Sequence, residues 1–185
     1  MQTPNQQTDL ATNQAVILAG PARNKETLSR FLGLRSVERI VLDLLKNGVN
    51  QITVAGSENT LPEQLRSKVR FVDLDEITVI RNCLEKNQND MFVLAGDLLC
   101  HPKLIPFLSE TARKTKVSQV VVEDLFHPAL LLRAQDLSKL PETTDLKEMV
   151  TLLTERGISQ RLEAPDVTFA TPLISDENRK RATRS

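Results

Sequence analysis

The chain has 185 residues, of which 40% are hydrophobic and 26% are charged, a size that suits one domain with a sizeable core and is short for two. Aromatic residues make up 3%, with no Trp and no Tyr, which argues against a surface for stacking bases. The 24 basic and 24 acidic residues cancel, so the chain lacks the positive field typical of nucleic-acid-binding proteins. We therefore expect no nucleic-acid partner.

The two ends of the chain differ from its middle. Residues 1–14 are polar and show neither a signal peptide nor a membrane anchor, so we predict a disordered tail there and one domain over residues 15–178. Residues 179–185 are basic and are predicted to be a solvated tail, with a truncated linker or a lipid-facing tail as alternatives. Every apolar run is far shorter than the roughly 20 residues that cross a bilayer. The two cysteines, Cys83 and Cys100, are predicted to be small core residues in a reducing, cytoplasmic compartment.

Short apolar runs alternate with helical patterns along the chain. The runs predict strands at residues 15–19, 51–55, 70–72, 91–95, 119–123, 129–133, 158–162 and 167–170. Apolar residues three and four apart predict helices at 36–47, 61–68 and 77–86, one opened by His101-Pro102, one at 145–156 and a stub from about Ser175. Strands separated by helices favour right-handed crossovers, so we predict a three-layer αβα domain with a mostly parallel, Rossmann-like sheet. The site is then expected at the carboxyl ends of the strands, in the loops after Ala19, Ala55, Val72 and Ala95.

The loop after the first predicted strand is the first candidate for a ligand site. Residues 20–25 have the sequence GPARNK, in which backbone amides next to two cations are suited to holding a phosphate. The spacing matches neither a P-loop nor the dinucleotide-binding GxGxxG motif. A plain strand-to-helix turn with two solvated cations is an equal alternative.

The loop after residues 91–95 is the second candidate. It begins with Gly96-Asp97, and a carboxylate at the end of a strand offers a hard oxygen ligand to Mg²⁺, which takes one or two carboxylates together with substrate phosphates. A turn or helix cap is the alternative interpretation of Asp97.

Several other polar side chains are predicted to be structural. Asp73, Asp75 and Glu76 lie on the same predicted edge, where they are suited to holding Mg²⁺ or to starting the next helix, and acidic residues favour the start of a helix. His101 and His127 each precede a proline and have no second histidine or cysteine at metal-binding spacing. We expect them to be capping or exposed residues.

Three stretches of the chain together resemble a known family. The order of AVILAG, LGLRSVERIVLDLLKNGVNQITVAG and DMFVLAGDLLCHPKLIPFL is similar to that in nucleotidyltransferase domains that activate sugar or alcohol phosphates, including the molybdopterin-guanine and inositol-phosphate cytidylyltransferase types. The resemblance spans nearly the whole chain. It implies the nucleotide-diphospho-sugar transferase-like fold, with Leu18, Ala19 and Gly20 contacting the nucleotide base and Asp97 binding the magnesium ion.

The resemblance also implies a reaction. A phosphate monoester of a sugar or alcohol attacks the α-phosphorus of a nucleoside triphosphate, with CTP favoured, and pyrophosphate leaves. Such a reaction depends on aligning two charged substrates and on neutralising the growing negative charge with Mg²⁺ and a cation in the first loop. Lys25, in the slot where the family commonly has Arg, is the predicted cation, and Arg23 is the alternative.

The chain departs from the family pattern at three places. Pro21 removes an amide donor from a loop that is normally rich in glycine and serine. Arg35 is the one charged residue where a lysine is expected before the helix, and arginine is not a simple substitute for a point charge. A second metal-binding Asp is expected at residues 172–175, and the nearest carboxylates are Asp166 and Asp176.

Two hypotheses follow from this pattern. One is a divergent, magnesium-dependent nucleotidyltransferase that uses Asp97, Lys25 and a second carboxylate not yet assigned. The other is a binding or regulatory module that keeps the fold without the chemistry, as a subunit of a membrane-bound alcohol phosphatidyltransferase, since members of this group are often fused to such an enzyme. A homodimer is a further expectation.

Overall fold

A computed structural model describes residues 12–20, 30–31, 33–115, 118–121, 129–143, 146–162 and 170–172 of the chain. The strands are β1 (Gln14–Ala19), β2 (Arg30–Phe31), β3 (Leu34–Arg35), β4 (Gln51–Gly56), β5 (Arg70–Val72), β6 (Met91–Ala95), β7 (Leu98–Cys100), β8 (Ser118–Val121), β9 (Ala129–Leu132), β10 (Ser159–Leu162) and β11 (Ala170–Pro172). The α-helices are α1 (Ser36–Lys46), α2 (Glu63–Arg66), α3 (Glu76–Asn87), α4 (Leu104–Thr115) and α5 (Leu146–Glu155). Short 3₁₀ helices cover Glu58–Thr60 and Ala134–Lys139.

A seven-stranded sheet forms the centre of the molecule, in the order β10-β8-β9-β6-β1-β4-β5. β6, β1, β4 and β5 are parallel to one another, β8 is parallel to β10, and β9 runs antiparallel to both of its neighbours. The predicted mostly parallel sheet of a three-layer α/β domain is therefore confirmed. The Rossmann-like alternation of strands and helices extends from β1 to α4.

Helices cover both faces of this sheet. α1 and α4 pack on one face in a core that includes Ile17, Leu44 and Leu108. α3 and α5 pack on the other face in a second core, which includes Leu18. Because successive side chains of a strand point to opposite faces, the fully buried β1 contributes Ile17 to one core and Leu18 to the other.

The pattern of α1 explains both its position and its ends. Apolar residues three and four apart, including Val37, Val41 and Leu44, form the buried stripe that packs on the sheet. The carboxylate of Glu38 accepts the backbone N–H of Arg35 at 3.3 Å and so satisfies a donor at the start of the helix. Gly48 has a φ of 85°, the left-handed conformation that commonly follows a helix.

Several short elements differ from the sequence-based prediction. The helix expected over residues 61–68 is the single turn α2, preceded by a 3₁₀ helix, and α4 begins at Leu104 rather than at His101-Pro102. β7 was not predicted, because it forms by pairing with a segment about seventy residues further along the chain. It pairs antiparallel with β11, which contains the last residue of the strand expected at 167–170 and lies outside the central sheet.

Most residues at the two ends of the chain lie outside the described residues. Residues 1–11 and 173–185 lie outside the described residues, and so do the predicted helical stub and the basic tail. β1 begins at Gln14, one residue before the predicted domain boundary, and Thr12 is already buried. No helix in the described part of the chain has the length and apolar character of a membrane span.

Candidate functional site

The carboxyl ends of four parallel strands meet at one edge of the sheet. Ala19 of β1 pairs with Gly56 of β4, and Leu18 pairs with Ala95 of β6. Ala55 in turn pairs with Val72 of β5. The four loops predicted to carry the site therefore start at the same level of the sheet, which is where ligands of open α/β sheets bind.

Small residues stand at the carboxyl ends of the three central strands. An Ala-Gly pair stands at the carboxyl end of each of the strands β1, β4 and β6, with the glycines at positions 20, 56 and 96. Gly56 has a φ of 153°, and a Cβ atom placed on it would lie 2.3 Å from the carbonyl oxygen of Ala19. The space around Gly20 is different, since no heavy atom of the described residues, which stop at position 20 and resume at position 30, lies within 4 Å of the Cβ position.

Asp97 lies in the turn between β6 and β7. Its side chain is 2% exposed, and its position is fixed through the preceding residue. The backbone N–H of Gly96 donates to the carbonyl oxygen of Leu18 at 2.7 Å, and the carbonyl oxygen of Gly96 accepts a 2.6 Å hydrogen bond from the Ser36 hydroxyl. The structure therefore ties the peptide before Asp97 to both β1 and the first residue of α1.

Asp97 also contributes to the electrostatic surroundings of β7. Burial raises the pKa of the Cys100 thiol, and the negative charges of Asp43 and Asp97 raise it further. Burial likewise raises the pKa of Asp43, against the opposing charges of Lys46, Arg39 and His101. Cys100 is consequently a neutral thiol in the physiological pH range and no candidate for a nucleophile.

Two of the three predicted base-contacting residues, Leu18 and Ala19, lie on β1. Both are fully buried, one in each core. Neither residue presents accessible surface to a nucleotide in this structure. Gly20 follows them at the carboxyl edge, so the structure brings Gly20 and Asp97 to the same side of the sheet.

The structure describes one of the three cations considered in the sequence analysis. Lys25 and Arg23 lie outside the described residues. Arg35, which occupies the place of the family's lysine, is held by neighbours: its Nη1 donates to the carbonyl oxygen of Asn59 at 2.6 Å, and its Nε lies 3.7 Å from the Glu38 carboxylate. Arg35 thus anchors the start of α1 to the segment after β4.

The other polar candidates behave as structural residues. The carboxylate of Asp75 accepts the backbone N–H of Thr78 at 2.9 Å and caps α3, which confirms the predicted helix start. The Nδ1 atom of His101 accepts the backbone N–H of Lys103 at 3.2 Å, a local cap of the kind expected. His127 lies outside the described residues.

Among the described residues, one carboxylate at the functional edge is suited to binding a magnesium ion. Asp97 supplies a carboxylate at the functional edge, and Mg²⁺ is commonly held by one or two carboxylates with substrate phosphates and water completing its shell. No group of three or more His, Cys, Asp and Glu side chains among the described residues is placed to hold a metal. β11 ends at Pro172, which pairs with Leu98, the neighbour of Asp97. Asp166 and Asp176, on either side of β11, lie outside the description.

Two contributors to this site were missed at the sequence level. Ser36 and Gly56 hold the edge together through a hydrogen bond and a close backbone approach. The sequence did contain a signal for Gly56, because an Ala-Gly pair ends three separate apolar runs. Ser36 precedes an apolar helical pattern, which suggests a helix start, but its bond to Gly96 depends on how α1 is placed against β6.

Comparison with solved structures identifies the fold. A glucose-1-phosphate thymidylyltransferase, so described, from Bacillus anthracis superposes with a TM-score of 0.66 at 12% identity, covering 92% of this chain and 94% of that chain. The inositol-1-phosphate CTP transferase from T. maritima gives 0.62 at 14% identity, covering 94% and 96%. HddC from Yersinia pseudotuberculosis, solved with GMP-PN, gives 0.62 at 14% identity, covering 92% and 98%. The chain has a nucleotide-diphospho-sugar transferase-like fold.

This nucleotidyltransferase fold is shared at low sequence identity. No protein-family model matches the chain, and no curated protein matches its sequence. The similar structures include transferases for sugar phosphates and for an alcohol phosphate. The fold therefore agrees with the resemblance drawn from the three sequence stretches.

Proposed function

We propose that this protein transfers a nucleoside monophosphate from a nucleoside triphosphate, CTP by preference, to a sugar- or alcohol-phosphate and releases pyrophosphate. The observation that carries the proposal is that the buried Asp97 and Gly20 lie at the same sheet edge, within a nucleotidyltransferase fold. The preference for CTP is supported by the sequence resemblance and by the similar structure named a CTP transferase.

The reaction requires little covalent chemistry from the protein itself. An oxygen of the acceptor phosphate forms a bond to the α-phosphorus, the bond from that phosphorus to the bridging oxygen breaks, and pyrophosphate carries away the electron pair. A magnesium ion, when bound, neutralises charge on the triphosphate and the leaving group. Asp97 would hold this ion, with Asp166 or Asp176 as the second carboxylate.

The remaining tasks fall to backbone and cations of this chain. The backbone at Gly20, with Leu18 and Ala19 behind it, would contact the nucleotide base. Lys25, or Arg23 in its place, would pair with the phosphates and stabilise the charge that develops on them. Hydrogen bonds from Ser36 and to Leu18 keep the Gly96 peptide in place, so that the carboxylate is positioned before the substrates arrive.

The proposal includes a cellular setting. Cys83 and Cys100 are both free thiols, in keeping with a reducing cytoplasm, where nucleoside triphosphates are available. A homodimer, or an alcohol phosphatidyltransferase that consumes the activated product, would be the partner.

Calorimetric titration of CTP and of GTP, each with and without Mg²⁺, tests the proposal without a choice of acceptor. We expect micromolar, magnesium-dependent binding of one nucleotide, which also identifies the base. Absence of binding by both nucleotides in the presence of Mg²⁺ would contradict the proposal. Incubation of the bound nucleotide with inositol phosphate or glucose 1-phosphate, followed by pyrophosphate detection, then tests turnover.

A binding module without catalysis is the second candidate. It is favoured by the engagement of Arg35, whose guanidinium contacts Asn59 and Glu38 instead of standing open at the edge, and by Pro21 in the first loop. The two candidates differ in one measurement. A module is expected to fold and to bind a phosphatidyltransferase partner equally well with Asp97 or with Asn at that position.

A further inference from the structure

A groove of about 470 Å³ lies beside the outer strand of the sheet, away from Asp97. It is bounded by β4, β5 and α3, whereas Asp97 follows β6, which is separated from β4 by β1. Its volume is in the range of small-molecule sites, which is roughly 300–1,000 Å³. Its apolar lining residues are Ile52, Val69, Val72, Leu74 and Val79, of which Ile52 and Val79 are almost fully buried.

Three basic residues line the groove: Lys68, Arg70 and Lys86. Within the described part of the chain, no Asp or Glu is among its lining residues. The local excess of positive charge is complementary to an anionic ligand.

The apolar wall of the groove consists of the lining residues towards the carboxyl edge, whereas the cations lie towards the opposite end, beside Ile52 and Val69. Arg70 pairs with Thr53 and Val72 with Ala55, so the groove wall turns from basic to apolar towards the carboxyl edge of the sheet. Leu74 continues the apolar wall and is 50% exposed.

Amide groups lie at the basic end. Asn50 and Asn87 line the groove there, and Asn87 donates a hydrogen bond to the side-chain oxygen of Gln14. Among the described residues, the buried side-chain nitrogen of Gln14 has no hydrogen-bond partner. A polar head group at this end would therefore meet cations and amides together, and a hydrocarbon body would extend along Val72 to Leu74.

We propose that this groove binds a small amphiphile that carries one anionic head group, a carboxylate or a phosphate monoester, on an aliphatic body. The head group pairs with Lys68, Arg70 and Lys86, and the body covers the apolar wall. The site is separate from the nucleotide site, and the proposal does not rest on nucleotide binding.

Cys83 provides a reporter inside the groove. It lines the groove with its sulfur 3.8 Å from the Thr53 hydroxyl oxygen. Burial and two nearby carboxylates raise the pKa of Cys100, so a thiol-reactive reagent at mildly alkaline pH is expected to label Cys83 first. Peptide mass mapping assigns the label to either cysteine.

The test measures the rate of Cys83 labelling in the full chain with four probes: decanoate, decyl phosphate, decanol and inorganic phosphate. We expect decanoate or decyl phosphate to slow the labelling, and the comparison of these two identifies the head group. Decanol and inorganic phosphate at the same concentration are expected to have little effect, because decanol lacks the anionic head group and inorganic phosphate lacks the aliphatic body. Equal protection by decanol and by the anionic probes, or no protection by any probe, would overturn the proposal.

Charge variants make the test specific. Arg70→Ala and Lys86→Ala are each expected to weaken protection roughly two- to fivefold, as for loss of one exposed ion pair. Lys46→Ala is the matched control, because Lys46 occupies the last turn of α1 as Lys86 does in α3. Calorimetric titration of decanoate into the same variants gives the affinity independently of thiol chemistry. An unchanged affinity in the Arg70→Ala, Lys86→Ala double variant would refute the assigned head-group site.

Discussion

The hydroxyl of Ser36 donates a buried, 2.6 Å hydrogen bond to the carbonyl oxygen of Gly96, sixty residues further along the chain. Ser36 is the first residue of α1, and Gly96 precedes Asp97. One bond thus joins the start of a helix to the peptide that carries the candidate metal ligand. The position of Asp97 depends on the packing of α1 as well as on β6.

Replacement of Ser36 by Ala tests this bond. The variant leaves the Gly96 carbonyl buried without its partner, which is expected to lower the free energy of unfolding by about 1–3 kcal/mol. Urea denaturation measures the change. Ser138→Ala, at an exposed position, is the control and is expected to stay within about 0.5 kcal/mol of the wild type. Equal effects of the two variants would show that the bond contributes nothing to stability.

Asp97→Asn tests the role of the carboxylate. Asn preserves the shape of the side chain but is a poorer ligand for Mg²⁺ because it carries no charge. We expect the magnesium-dependent part of CTP binding to disappear in calorimetry while the far-UV circular dichroism spectrum is kept. Asp73→Asn, an exposed carboxylate at the same edge, is expected to bind as the wild type does. Unaltered binding by the Asp97 variant would favour the module without catalysis.

Gly56→Ala tests the close approach of β4 to β1. The new methyl group would lie 2.3 Å from the Ala19 carbonyl oxygen at a backbone φ of 153°, so the two strand ends must separate. We expect a loss of about 2–4 kcal/mol in the free energy of unfolding from clash and strain together. Gly48→Ala has the strain without the clash, since φ is 85° and no atom of the described residues lies within 4 Å. It is expected to cost about 1–2 kcal/mol, and a cost clearly larger than that of Gly56→Ala would contradict the role of the clash.

Asp75→Ala tests the cap of α3 and its dependence on pH. At neutral pH the loss of the cap is expected to cost about 1 kcal/mol. Hydrogen bonds from Thr78 lower the pKa of Asp75 below its ordinary value of 3.8, so the ionised cap stabilises the fold above that value and the benefit is lost as pH falls through the lowered pKa.

The difference in melting temperature between wild type and Asp75→Ala should therefore shrink in acid. Asp73→Ala, two residues earlier and exposed, is the control, with little effect at any pH. A wild-type advantage that is the same at neutral and strongly acidic pH would rule out the charged cap.

The sequence predicted those parts of the fold that depend on local pattern. β1 and β6 are continuous apolar runs, as strands buried on both faces are. The order of strands and helices was enough to predict that Gly20 and Asp97 lie at the same edge of the sheet. α1 was evident from its period and from the Asn47-Gly48 stop.

The remaining parts depend on contacts between distant segments. β7 forms because β11 pairs with it in a specific register. The interaction of Arg35 with Asn59 requires the segment after β4 to lie against the start of α1. The antiparallel direction of β9 is likewise a matter of topology, because a four-residue apolar run has the same pattern in either direction.

The placement of β1 has a consequence for unfolding. Its neighbours in sequence, Ile17 and Leu18, belong to the two cores on opposite faces of the sheet. Neither helical layer can therefore be released without exposing a face of the same central strand. We expect thermal unfolding to occur as a single cooperative transition, in which probes on α1 and α3 report the same midpoint.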